Sequence, residues 1–242
     1  MSCAWLQRRG AAMFMCHAAE LETRTDGDAL WAASRSVFAD AGLVHVIYLV
    51  SDDARRRVSL RSSTPAIHRE VDPAEDPFLD YCCKSYDVTR TGVAYLPDYS
   101  YLPTTAQRLI RAARKVGFVS GFGIPTRLEG ADRYGGFNLG CALDRDAFEA
   151  RFAPHIAEIQ SLCFLLHRRF EELDRKRSSA VEALSPREGE ILSLIARGLT
   201  RKECAHALGL SPNTVAEYTK SAYRKLGVRN RVEAARLMSG GR

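Results

Sequence analysis

Apolar positions recur along this chain with two periods, and the change between them divides it. In the first part, short apolar runs alternate with helical stripes. Leu30, Ala33 and Phe38 mark a helix over Ala29 to Ala41 that stops at Gly42. The run Leu43 to Val50 is apolar and rich in β-branched residues, which predicts a strand buried on both faces. Strands are also expected at Arg57 to Arg61, Val119 to Arg127 and Tyr134 to Leu143, and helices at Phe78 to Tyr86 and Thr104 to Lys115. From Arg145 to Lys176 one long helix carries Phe148, Phe152, Ile156, Ile159, Cys163, Leu166 and Phe170 along a single seam. Helices flanking a sheet predict an α/β domain layered as an α-β-α sandwich.

After Leu184 the apolar period is helical only, and capping signals punctuate it. Ser185-Pro186-Arg187-Glu188, Thr200-Arg201-Lys202-Glu203 and Asn230-Arg231-Val232-Glu233 each place a capping oxygen three residues before a glutamate. Gly198, Gly209 and Gly227 follow apolar runs as stop signals, and Pro186 and Pro212 sit where a first helical turn tolerates a missing N–H. The turn Gly209-Leu210-Ser211 then separates a short helix from a longer one, which makes a helix-turn-helix inside an all-α four-helix domain. On the longer helix Val215, Thr219, Ala222 and Leu226 face inward with Leu192, Ile195, Leu199 and Leu208, while Asn213, Ala216, Glu217, Lys220 and Arg224 face out. The expected organisation is the α/β domain over 1–171, a charged and then small, polar linker over 172–183, and the helical domain over 184–242.

Charge changes the picture from fold to partner. Residues 184–242 carry eleven Lys/Arg against five Glu, so the whole formal excess of +6 lies there, and residues 1–183 balance. A basic helical module beside a neutral one fits double-stranded DNA as partner, since phosphate contacts supply most non-specific affinity. The alternative is a solvated cationic face on a small bundle. The longest apolar run is too short to span a bilayer, and the leader-like residues 1 to 19, with Arg8 and Arg9, are marginal for a signal peptide, so a cytoplasmic protein without membrane attachment is expected. The seven cysteines are scattered, which reads as reduced thiols, and neither a metal nor a cofactor is indicated. No paired carboxylates, activated nucleophile or phosphate loop supports an enzyme.

The tail residues Leu184-Ser185-Pro186-Arg187-Glu188, Ile195 to Thr200, Leu210 to Val215 and Tyr223 to Arg231 resemble the C-terminal domain of LuxR-type transcription regulators over about fifty gapless residues. The resemblance implies that the third helix enters the major groove and the fourth helps pair two copies. It makes Lys220 the base reader, able to donate to guanine O6 and N7. Ala216 would offer a small apolar touch, as to a thymine methyl. Glu217 either accepts from cytosine N4 or repels phosphate. Thr200, Lys202, Asn213, Thr214 and Lys225 are candidates for phosphate contacts, and Arg224 shares their cationic edge.

The first domain also resembles the autoinducer-binding domain of that quorum-sensing family, through Asp76-Pro77, Ala112 to Pro125 and the strand Gly136 to Cys141. That resemblance implies a small-molecule site, for an acyl-homoserine lactone or a different ligand. Asp76 would accept from an amide N–H, or it caps a helix that begins at Pro77. Asn138 would approach the ligand's polar groups, or it is a sheet-edge residue. Tyr95 stands near the place of a family tryptophan. His68 would replace a lost donor, or it is an exposed loop histidine. The run Ser63 to Val71 lacks the tryptophan and tyrosines that the family places there. The combined expectation is a homodimeric DNA-binding regulator whose activity a small molecule sets. The alternative is an orphan regulator that needs no ligand, or an anti-activator that forms heterodimers with a related regulator. A phosphorylation receiver before such a tail would place an acidic pair after an early strand, as Asp52-Asp53 does, but the parallel β/α repeat it requires is missing.

Overall fold

The computed structural model describes residues 14–52, 57–69 and 71–239. Cys3, Trp5, Asp53 and most of the leader-like stretch lie outside them. The chain divides into two compact units, Met1–Phe170 and Glu171–Arg242.

The first unit opens with the short helix α1 (Ala18–Glu22) and with α2 (Gly27–Asp40), whose N-cap Asp26 accepts from the Asp28 and Ala29 amides. Strands β1 (His45–Asp52) and β2 (Val58–Ser62) follow, then α3 (Pro77–Lys84), the three-residue strand β3 (Thr89–Thr91) and α4 (Thr104–Arg114). Strands β4 (Ser120–Pro125) and β5 (Arg133–Cys141) complete a sheet in the order β2-β1-β5-β4-β3, with every pairing antiparallel. An antiparallel sheet has no place for a phosphorylation receiver, whose parallel strands are joined by crossover helices. Helix α5 (Arg145–Phe152) leads into α6 (Ile156–Glu182). Two helices therefore stand where one long seam was expected. Pro154, in the 3₁₀ turn Ala153–His155, has no N–H for the ladder and clashes with the preceding turn. The stretch 172–182, expected as linker, is helical to the end of α6.

Side-chain alternation assigns the layers. On one face Tyr48 stacks between Phe137, at 4.6 Å, and Phe170, at 4.9 Å. Phe38 of α2 reaches Phe137, and Phe148 of α5 reaches Phe122. Helices α2, α5 and α6 thus cover that face with aromatic rings. On the other face Ile47 packs with Ile67, Leu109, Ala113 and Phe118, beneath α4. Strand β1, interior to the sheet, is buried on both sides, as its apolar run requires.

Edge strand β3 escaped the sequence pattern because three residues are too few to show a period of two. So did three 3₁₀ segments, Pro65–His68, Pro73–Glu75 and Val93–Tyr99. Among the cysteines Cys16 is disulfide-bonded, which overturns the reading of reduced thiols throughout, since nothing in the spacing marks a pair. Cys82, Cys83, Cys141, Cys163 and Cys204 are free. No described helix is long and apolar enough to cross a membrane.

The second unit holds α7 (Pro186–Ala196), α8 (Arg201–Leu208), α9 (Pro212–Leu226) and α10 (Arg231–Ser239). Reciprocal capping boxes open α7 and α8. At α10 the pattern is modified: Asn230 Oδ1 accepts from the Glu233 amide, but Glu233 returns its bond to the Arg229 amide. One core cluster joins Ile191, Ile195, Cys204, Ala205 and Val215, and another joins Leu192, Ala222, Leu226 and Ala234.

Candidate functional site

In the second unit, the turn between α8 and α9 presents α9. Gly209 takes the left-handed conformation at φ 65° and closes α8, which a Cβ would strain. Ser211 Oγ then accepts from the Thr214 amide at 3.1 Å and starts α9. Val215, Ala222 and Leu226 are buried, so the opposite face must point outward. Asn213, Glu217, Lys220 and Arg224 are exposed there, and Ala216 is half-buried among them. These positions recur at three- and four-residue intervals and so form one stripe. Among the described residues, the side chains of Asn213, Glu217, Lys220 and Arg224 make no hydrogen bond or ion pair within the chain. Lys202, on α8, is exposed as well.

Three expected phosphate contacts have other work. Lys225 Nζ lies 2.6 Å from Glu188 Oε2, and Glu188 is buried at 3 % exposure. Glu188 also accepts from the Ser185 amide, at 2.6 Å, so one carboxylate closes the α7 cap and holds α9 to α7. The Lys225 ammonium, with the Ser185 amide and the Ser221 hydroxyl, draws its pKa down to about 2. Thr200 Oγ1 accepts from the Glu203 amide and donates to Glu203 Oε2 at 2.8 Å, within its capping box. Thr214 Oγ1 lies 2.9 Å from Ser211 Oγ. The Glu188–Lys225 pair went unseen because its partners are 37 residues apart, although an acid inside a capping box and a cation on the facing helix were both visible.

The first unit encloses a cavity of about 110 Å³, several times the space one water needs, between the sheet and α3 and α4. Its floor follows a row across the sheet, where Thr89 pairs with Gly123, Gly123 with Asn138, and Asn138 with Ile47 across β3, β4, β5 and β1. Gly123 makes the close approach possible. A Cβ there would stand 2.7 Å from the Phe78 ring and 2.8 Å from Thr89, so glycine lets that ring lie against the strand. Phe118, Leu109, Ile110 and Ala113 form apolar walls, and Tyr99, Tyr101 and Leu102 add to them. Thr91 Oγ1 donates to Asn138 Oδ1 at 2.7 Å, which leaves the Asn138 amide nitrogen as a donor. Among the described residues no cluster of three or more metal-ligating side chains occurs.

The structure brings together only two of the four expected ligand residues on the cavity wall, Asp76 and Asn138. Asp76 caps α3, its Oδ1 accepting from the Phe78 amide at 2.8 Å, and it also lines the cavity. Its second oxygen is 2.8 Å from His68 Nε2. His68 is not an exposed loop histidine: its side chain is 2 % exposed and backs the carboxylate. Tyr95 belongs to the other face. It is fully buried and donates to Glu149 Oε1 at 2.7 Å, beside a bidentate Arg90–Glu149 pair, so it does not wall the cavity. Tyr95 and Tyr99 stand on different sides of the 3₁₀ segment Val93–Tyr99, which no local pattern announces. The wall residues missed from sequence, Thr89, Thr91 and Tyr99, lie on the short strand and 3₁₀ segment that lacked a periodic signal.

Comparison with known proteins separates the two units. Residues 182–238 match the model for bacterial regulatory proteins of the luxR family. YhjB of Escherichia coli K12, described as an HTH-type transcriptional regulator, is 31% identical over 103 residues, covering 43% of this chain and 52% of that protein. The nitrate/nitrite response regulator protein NarL of the same organism is 44% identical over 55 residues, covering 23% of this chain and 26% of NarL. The matched part thus spans about half the length of the first of these relatives and about a quarter of the second. Two structures of SdiA, the second that of Escherichia coli, align at 17% identity with TM-scores of 0.47 and 0.45. They cover 100% and 98% of this chain and 96% and 97% of theirs, and one is in complex with octanoyl-rac-glycerol. The matched residues span the capping boxes, the Gly209 turn and the exposed stripe of α9. The C-terminal helix-turn-helix domain of this chain is thus similar to the luxR family of bacterial regulatory proteins.

Proposed function

We propose that the chain is a dimeric, DNA-binding transcription regulator acting inside the cell, with its activity set by an uncharged small molecule in the first unit. The observation that carries the DNA reading is the outward stripe of α9, where Lys220, Arg224 and Asn213 have no partner among the described residues although the opposite face is packed. A helix about 22 Å long fits the major groove along such a stripe. Lys220 donates to guanine O6 and N7, Ala216 touches a thymine methyl, and Glu217 accepts from cytosine N4. Asn213, Lys202 and Arg224 take backbone phosphates, while Thr200, Thr214 and Lys225 keep the helices in register. Two copies related by a two-fold axis match paired half-sites.

For the ligand, the wall chemistry supports a neutral molecule with an apolar body. Aromatic and aliphatic side chains form most of the surface, Asn138 supplies a donor, and Arg90 is neutralised by Glu149. An acyl-homoserine lactone meets those terms, and so does another neutral amphiphile that shares the Asp76 oxygen with His68. The test of the DNA reading is duplex binding by the full chain across a salt series. Affinity should fall linearly on a log-log plot as salt rises. Absence of any salt-dependent duplex affinity overturns it. The ligand is identified by mass spectrometry of what co-purifies with the expressed chain.

A further inference from the structure

We propose that the outer face of α4 is a second DNA-contact surface, engaging backbone phosphates beside the site read by α9. This rests on the DNA-binding reading above. Arg108, Arg111, Arg114 and Lys115 are all exposed on this helix and at its C-cap. Arg111 Nη2 donates to the neutral Gln107 amide oxygen at 3.1 Å. The side chains of Arg108, Arg114 and Lys115 make no hydrogen bond or ion pair among the described residues.

Among the described residues no carboxylate pairs with these charges. No aspartate or glutamate occurs between Asp98 and Glu129, thirty residues that carry five Lys/Arg. Of the elements packed on α4, the 3₁₀ segment Pro65–His68 has no acid, and Val93–Tyr99 has one, Asp98, which pairs with Arg145 at 2.9 Å. Glu129 pairs with Arg127 at 2.7 Å. A cationic face therefore persists in a part of the chain, 1–183, with no net charge.

The chemistry selects the partner. Three of the four cations are arginines, whose planar forks match phosphate oxygens. From Arg108 to Lys115 the helix rises about 10 Å, enough to follow about three phosphates of one strand. A membrane surface fits less well, because the apolar side of α4, with Ala106, Leu109 and Ala113, is consumed by the unit's own core and offers nothing to insert. Covalent attachment to a DNA-reading domain holds this face at high effective concentration near the same duplex.

The experiment uses the full chain and mixed-sequence duplexes of about 20 and about 40 base pairs, with affinity measured by fluorescence anisotropy from low to moderate salt. At about 0.9 per phosphate, the longer duplex should show a log-log slope steeper by roughly 2–3. The triple variant Arg108→Gln, Arg111→Gln, Arg114→Gln should lose that excess, keep the wild-type slope on the short duplex and unfold at the same temperature. Retention of the excess by the variant, or equal wild-type slopes on both duplexes, overturns the proposal while the α9 reading stands. Binding to neither duplex overturns both. A loss confined to phosphatidylglycerol vesicles, with DNA binding untouched, also overturns it and assigns the face to lipid.

Discussion

The two units reach order by opposite routes. The C-terminal unit takes its helix starts from contacts a few residues apart: Ser185 with Glu188, Thr200 with Glu203, Asn230 with Glu233, and Ser211 with Thr214. The N-terminal unit is assembled from pairings far apart in the chain, with β1 against β5 and Phe14 held by Glu158 across 144 residues. Local bonds set helix starts and stops cheaply, and the surface they present is legible at once. Long-range pairing sets which side chains share a face, and so it decides what lines a cavity.

Acid should separate the units most clearly. Burial, with the Arg133 charge in support, lowers the His167 pKa to about 4, in a ring whose Nδ1 lies 2.8 Å from the Tyr48 hydroxyl. Below its ordinary value of 6.5 the unfolded chain takes up a proton that the folded unit refuses. That stabilisation is therefore present above pH 6.5 and is lost towards pH 4, amounting to about 3 kcal/mol. Glu188 works in a lower window, since its carboxylate is held at about 2 against an ordinary 4.5, and its contribution fades only as pH falls through that interval. Near-ultraviolet signals from the first unit should thus weaken at a higher pH than the helical signal of the second. Simultaneous loss would mean that His167 does not govern the first transition.

Crowding the cavity floor comes next. Gly123→Val drives a side chain into Phe78 and Thr89 and should cost roughly 2 kcal/mol, seen as a lower urea midpoint for the first unit alone. An unchanged midpoint would show that the rings have room to move. Lys220→Ala should lower specific affinity by roughly 1–3 kcal/mol and relax one base position, without affecting thermal unfolding. Binding-site selection that returns the same preferred sequence removes Lys220 from the reading role. The smallest effect belongs to Ser211→Ala, which removes the α9 cap and should cost about 1 kcal/mol, read from thermal unfolding of the helical unit.

Legibility follows the same division. The α9 stripe was readable because Val215, Ala222 and Leu226 repeat at helical spacing and leave Lys220 and Arg224 outside. Lys225 is exposed as its spacing expects, and only the packing of α7 shows that it also pairs with Glu188. In the first unit β1 and β5 were plain from their apolar runs, whereas β3 and the segment Val93–Tyr99 were silent. Tyr95 therefore went to the wrong layer, and of the two readings of His68 the exposed loop histidine fails, since its side chain is buried behind Asp76.

By itself the amino-acid order determined where helices begin and end, which tail residues face solvent, and where the net charge resides. Each follows from interactions within about four residues or from simple addition of charges. Tertiary structure alone decided that Asn138 and Asp76 share a cavity wall, that Phe78 lies over Gly123, and that an acid-free cationic helix covers that cavity. Those outcomes depend on strand register, and moving a register by one residue sends every side chain to the opposite face.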